Sequence, residues 1–275
     1  MSEKRPEIAE SIQTGGFTTN YHDIGNGYPI VFIHGSGPGV SAWANWRKLF
    51  PLMKSDFRIL APDMVGFGYS ERLKEPVYNM NVWVQQIKDF FDALKIEKAN
   101  LVGNSFGGAL AIAIATKYPE LVNKMVLMGS MGVSFPITYG LDRAWGYTPS
   151  MANMQELLGL FAYDQSIISK ELIKTRYDAS MQPGFQESFS AMFPEPRQQG
   201  VESMASNEHY IRNIPHKTLI VHGREDRLIP MKNAIRLLDM IDNAELHIFG
   251  KCGHWSQIER TEAFADLLKA FFSRD

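Results

Sequence analysis

Short apolar runs that break into Gly-containing turns and then into helical patterns constrain this chain more than any other feature. Residues 29–33 run into His34-Gly35-Ser36-Gly37-Pro38-Gly39, and residues 57–61 into Pro62-Asp63-Met64-Val65-Gly66-Phe67-Gly68. Residues 99–102 run into Gly103-Asn104-Ser105-Phe106-Gly107-Gly108, and apolar runs recur at 124–128, 218–221 and 245–249. Apolar runs without alternation are buried on both faces, as strands of a parallel sheet covered by helices are. Between them, Val84, Ile87, Phe91 and Leu94 sit three or four apart, one stripe facing a sheet. Phe264, Leu267, Leu268, Phe271 and Phe272 repeat the pattern near the end. The alternation predicts an α/β fold with a mostly parallel central sheet flanked by helices.

The rhythm stops between about 134 and 209. That stretch offers no buried strand and reads as short helices separated by Pro149, Pro183, Pro194 and Pro196. Ten aromatics lie between Phe135 and Phe193, denser than the 12% of the whole chain, and Met151, Met154, Met181, Met192 and Met204 add adaptable apolar surface. The expected organisation is a core of residues 1–133 and 210–275, with 134–209 inserted as a helical lid over the strand ends. Ligands bind at that place in open α/β sheets.

Composition narrows the function classes. The 275 residues are 45% hydrophobic, enough for a sizeable core. With 28 basic against 30 acidic residues, net charge is −2, which leaves no basic footprint for nucleic acid or an anionic membrane. The longest greasy run, 109–115, is too short to span a bilayer. The opening MSEKRPEIAE is charged and does not read as a secretory signal, and the single Cys252 fits a reducing compartment, so a cytoplasmic location is expected.

Gly103-Asn104-Ser105-Phe106-Gly107 fits G-x-S-x-G, the turn that lifts a serine above a sheet where no Cβ fits beside it. A helix expected over 108–118 would aim its positive end at a developing oxyanion. A serine hydroxyl needs a base. Of seven histidines, His22, His209 and His216 read as solvated, His222 and His247 as strand packing, and His34 as holding its own loop. His254, on the Gly-bearing loop between the last strand and the last helix, is the expected base. The orienting acid should lie between serine and histidine in the chain. Asp226 fits, with its neighbour Glu225 a rival that spacing alone does not exclude. The expected triad is Ser105, Asp226 and His254, with an oxyanion hole from the Phe106 and Ser36 backbone N–H groups. No P-loop, dinucleotide fingerprint or zinc spacing occurs, so neither a cofactor nor a metal is expected.

Nearly the whole chain resembles the meta-cleavage product hydrolases, the C–C bond hydrolases of the α/β-hydrolase fold. The resemblance rests on His34-Gly35-Ser36-Gly37-Pro38-Gly39, Asn45-Trp46-Arg47, Asp63-Met64-Val65-Gly66-Phe67-Gly68, Gly103-Asn104-Ser105-Phe106-Gly107-Gly108, Leu127-Met128-Gly129-Ser130 and Gly253-His254-Trp255. Three lid stretches make it most similar to the 2-hydroxymuconate semialdehyde hydrolases: Trp145-Gly146-Tyr147, Pro183-Gly184-Phe185-Gln186-Glu187-Ser188-Phe189 and Met192-Phe193-Pro194-Glu195-Pro196-Arg197-Gln198. One departure is Glu71-Arg72-Leu73-Lys74, where a proline is expected after the arginine.

The resemblance implies hydrolysis of 2-hydroxy-6-oxohexa-2,4-dienoates to 2-hydroxypenta-2,4-dienoate and a carboxylic acid. It also implies that Arg176 binds the substrate carboxylate with Asn104 and Asn45 as polar partners, and that Trp255 lines the pocket. Leu141, Trp145, Leu228 and Ile229 match residues around the 6-substituent. A small-molecule substrate and a homo-oligomer are implied with them. A carboxylesterase of the same fold would use the same triad, and a ligand receptor built on a hydrolase fold is a further alternative.

Overall fold

The computed structural model describes residues 5–75 and 77–274. The first four residues of the charged opening, Pro76 and Asp275 lie outside them. Eight strands run β1 (Glu10–Thr14), β2 (Phe17–Ile24), β3 (Tyr28–Ile33), β4 (Phe57–Pro62), β5 (Ala99–Asn104), β6 (Val122–Met128), β7 (Thr218–Gly223) and β8 (Ala244–Phe249). The helices are α1 (Ala42–Trp46), α2 (Phe50–Met53), α3 (Met80–Ala93), α4 (Phe106–Lys117), α5 (Tyr139–Trp145), α6 (Met151–Phe161), α7 (Lys170–Ser180), α8 (Phe185–Met192), α9 (Gln198–Ser203), α10 (Glu208–Arg212), α11 (Met231–Met240), α12 (Ser256–Glu259) and α13 (Thr261–Phe272). The sheet order is β1-β2-β4-β3-β5-β6-β7-β8, parallel from β4 to β8, with β2 antiparallel to both neighbours.

Residue alternation along each central strand divides the core into two layers. Val31, Ile33, Leu101 and Leu127 face α3, α4 and the inserted helices. Ile30, Phe32, Val102 and Val126 face α1, α2 and α13. Burying both faces is why those strands carry almost no polar side chains. β8 differs from the buried strand expected at 245–249: it is an edge strand, with Ile248 41% exposed and Glu245 in solvent.

The apolar-run reading overlooked β1 and β2. They form a hairpin whose register, Thr14 opposite Phe17, leaves Gly15-Gly16 as a two-residue loop with both φ values positive. A Gly-Gly pair is a hairpin signal, but the strands around it are polar. Thr14 and Thr19 are buried against each other, and Gln86 of α3 donates to Thr19. α4 also starts at Phe106, two residues before the expected helix. Five helices, α5 to α9, lie within 134–209 with no strand among them, and α10 begins at its end. Among the described residues no helix is long and apolar enough to cross a membrane.

Candidate active site

β5 carries the chain to Ser105, whose φ of 53° and ψ of −111° are strained for any residue with a Cβ. The neighbouring glycines make the turn possible. A Cβ on Gly103 would stand 2.3 Å from the Gly107 carbonyl oxygen, and one on Gly107 would stand 2.2 Å from that of Ile33. The Ser105 amide donates to the Met128 carbonyl at 2.9 Å, tying the turn to the end of β6. α4 begins at the next residue, so its N-terminal amides lie directly behind the serine.

The loop after β7 holds Asp226. Its Oδ1 accepts the Leu228 and Ile229 amides at 2.8 and 2.9 Å, and its Oδ2 faces His254 Nδ1 at 2.7 Å. Both side chains are fully buried. Burial alone would raise the Asp226 carboxyl, but the charge and hydrogen bond of His254, the charge of His222 and the Ile229 amide outweigh it and hold it below its ordinary value. Glu225 turns elsewhere, accepting the Cys252 amide at 2.9 Å and pairing with Arg224. Gly129, with φ of +50°, leaves room for the pair; a Cβ there would sit 3.1 Å from the His254 ring. The His254 amide donates to the Phe161 carbonyl at the end of α6.

His34 donates from Nδ1 to its neighbour's carbonyl, while its Nε2 accepts the Met64 amide at 3.0 Å, so the ring pins the loop carrying Ser36 to the loop after β4. Trp145 of α5 donates from Nε1 to Ser36 Oγ at 3.0 Å, joining the inserted helices to that loop. His22 and His216, expected to be solvated, are buried. His22 packs on Trp43 and Phe50, and His216 bonds the Pro119 carbonyl.

A cavity of about 30 Å³ lies at this place, bounded by Gly35, Ser36, Asn104 and His254. One side is polar. Asn45 Oδ1 accepts the Gly35 amide at 3.3 Å while its buried Nδ2 has no partner. Arg176 donates to the Pro38 carbonyl at 3.1 Å, and among the described residues no carboxylate pairs with it. The other side is Met154, Leu157, Leu158 and Phe161, all from α6, with Trp255 stacked on Phe161. This α6 wall was not foreseen from sequence, although the 3–4 spacing of its apolar residues was available to show it. Leu141, Trp145, Leu228 and Ile229 are buried nearby but do not line this cavity. Leu228 and Ile229 meet the site through their amides on Asp226, and Trp145 through Ser36. Among the described residues no group of three His, Cys, Asp or Glu side chains is placed to hold a metal ion.

Sheet, turn and cavity define a class, and the chain matches the α/β hydrolase fold family over residues 28–261. It is 54% identical to a 2-hydroxymuconate semialdehyde hydrolase of Pseudomonas sp. strain CF600, over 98% of this chain and 95% of that one. It is 49% identical to a 2-hydroxy-6-oxo-2,4-heptadienoate hydrolase of Pseudomonas putida, over the full length of both. Among solved structures, a meta-cleavage product hydrolase of Pseudomonas fluorescens superposes with a TM-score of 0.96 at 54% identity, over 97% of this chain and 98% of that one. The chain belongs to the meta-cleavage product hydrolases of the α/β-hydrolase fold.

Proposed function

We propose that this protein hydrolyses a C–C bond in 2-hydroxy-6-oxohexa-2,4-dienoates, either 2-hydroxymuconate semialdehyde or its 6-alkyl analogues, giving 2-hydroxypenta-2,4-dienoate and a carboxylic acid. The observation that carries this reading is the lopsided cavity beside His254. A guanidinium without a carboxylate partner and an unpaired amide donor sit at one end, and an α6 wall of apolar side chains at the other. A buried anion needs a cation and hydrogen bonds, so Arg176, Asn45 and Asn104 take the carboxylate end and Trp255 packs along the chain. The 6-substituent points toward Met154, Leu157 and Leu158, with Leu141, Trp145, Leu228 and Ile229 behind. Residues 134–209 act as the lid over it.

Ser105, His254 and Asp226 perform the chemistry. Cleaving a C–C bond leaves a carbanion, which the dienol cannot accept but its 2-keto tautomer can, as a delocalised enolate. Ketonisation therefore comes first, with His254 moving the proton. Attack at the C6 carbonyl follows, with the oxyanion held by the Phe106 and Ser36 amides. The C5–C6 bond then breaks, its electron pair passing to the dienolate, which is protonated and released as the dienol, while water takes up the C6 acyl group as the carboxylic acid. Each oxyanion donor is worth about 10²–10³ in rate. The buried Cys252 thiol, pushed up to about 11 by burial, is a poor nucleophile and takes no part. The unpaired outer edge of β8 offers a surface for self-association into a homo-oligomer, checked by light scattering. The reduced Cys252 suits the cytoplasm.

The test mixes purified protein with 2-hydroxymuconate semialdehyde and its 6-methyl and 6-phenyl analogues and follows loss of dienolate absorbance. Bleaching is expected, absent in Ser105→Ala. Arg176→Ala should lose at least about tenfold in kcat/KM on these acids and leave a neutral p-nitrophenyl ester untouched. Turnover of the ester without bleaching of any dienoate makes the protein an esterase.

A further inference from the structure

A second cavity, of about 200 Å³, adjoins the first, shares four of its walls, Val40, Asn45, Arg176 and Trp255, and reaches the exposed Lys48. Beyond those it adds Arg47, Lys48 and Gln257, set among the apolar Ala44, Ile167, Leu172 and Ile258. Arg47 closes the C-terminal end of α1, where its Nη1 donates to the Ala44 carbonyl at 2.7 Å. Among the described residues that is the only hydrogen bond of its guanidinium, and no carboxylate lies within ion-pair distance of Arg47 or Arg176. The charge of Glu7 acts on both only at longer range. Two more groups leave the wall unfinished. Gln257, 1% exposed, has an Oε1 without a partner, and Asn45, 8% exposed, an Nδ2 without one.

Two guanidiniums facing one chamber repel each other, and burial penalises both. Arg176 is accordingly drawn down to about 10, by burial first and by Arg47 next. Arg47 is lowered by its own burial. Such an arrangement costs stability until an anion enters. We propose that Arg47 is a second anion-selecting residue, and that the outer chamber is the mouth through which a carboxylate-bearing substrate is drawn inward to Arg176. This rests on the reading of Arg176 as the carboxylate partner. A like-charged pair along one path attracts an anion from further away than one cation does, and the attraction fades with added salt.

The test uses Ser105→Ala protein, in which bound substrate persists, and measures binding of 2-hydroxy-6-oxohepta-2,4-dienoate and its neutral methyl ester at several potassium chloride concentrations. Adding Arg47→Gln should weaken binding of the acid by about tenfold and flatten its salt dependence, with the ester unchanged. Arg47→Lys keeps the charge and should retain the salt dependence with a loss under about threefold. Unchanged acid binding and salt dependence in Arg47→Gln overturn the proposal, as does an equal loss for acid and ester, which would mark Arg47 as a structural cap of α1. Should Arg47→Gln not fold, Arg47→Met, which also removes the charge but keeps an unbranched stem, is read for acid against ester by the same criteria. Wild-type protein that bleaches no dienoate fails the proposed function itself. Normal bleaching with an inert Arg47 fails only this inference.

Discussion

Asp226 is a carboxylate wrapped in donors. Two backbone amides hold one oxygen and the His254 ring meets the other, so the ionised form is favoured although no water reaches it. Asp226→Asn keeps the size but offers His254 an amide in place of a charged acceptor, which frees the ring to adopt the wrong tautomer. Its kcat on dienoates should fall by about 10³–10⁴-fold with little change in substrate binding, read by single-turnover kinetics. Chain order brought Asp226 and Glu225 forward together, and adjacent carboxylates on one loop are not separable by spacing. Backbone direction separates them, since Glu225 is committed to the Cys252 amide and Arg224. His22 and His216 were misread for a related reason: polar neighbours in sequence do not tell whether another element covers a ring.

At the scale of elements, the inserted helices are tied to the histidine loop by one side chain. Glu259, on α12, accepts the Tyr163 and Asp164 amides with one oxygen, at 2.9 and 2.8 Å, and the Gly253 amide with the other, at 2.8 Å. It thus joins the segment after α6 to the residue before His254. Glu259→Ala should cost about 1–2 kcal/mol in a thermal melt and speed hydrogen exchange at Tyr163 and Asp164. Unaltered exchange there would show the tie to be idle. On the opposite side Arg72 bonds the Gly184 carbonyl and stacks on Phe185 of α8, so the loop that departs from the family pattern anchors α8. Neither tie has a local signature, because each links residues far apart in the chain. The β1–β2 hairpin escaped notice for another reason: its polar residues are satisfied by partners on α3 and in the loops, which no window of sequence contains.

The whole molecule's response to acid combines buried groups of opposite sense. His34, fully enclosed between its neighbour's carbonyl and the Met64 amide, is lowered from 6.5 to about 4, mainly by burial. Its folded value lies below its unfolded one, so its contribution is present above about 6.5 and is lost as pH falls through about 4. That is worth about 3 kcal/mol. His22, His216 and His222 are also lowered, chiefly by burial, and act in the same direction. Asp63, raised to about 6 by burial, works against them: its contribution is full below about 3.8 and is lost as pH rises through about 6. His34→Gln should therefore be less stable near neutrality and show a flatter stability profile between pH 6.5 and 4. Denaturant titrations across that range check it, and parallel profiles for the two proteins would remove His34 from the account.

Much of this architecture is local in origin. Apolar runs too long to alternate demand burial on both faces, and glycines at Gly103 and Gly107 are demanded by a turn where a Cβ would strike backbone. Strand order along the chain, the turn at Ser105 and the histidine loop could therefore be read from the residues alone. The inserted helical segment showed itself as a gap in the strand pattern. Other features depend on distances that local sequence does not encode. Tertiary structure decided which of two adjacent acids meets His254, which face of α6 walls the cavity, and that β8 lies at an edge. It also decided that Arg47 and Arg176, 129 positions apart in sequence, share one chamber. Periodicity and turn chemistry act over a few residues, whereas burial, charge pairing and cavity shape are set by segments that meet only once the chain has folded.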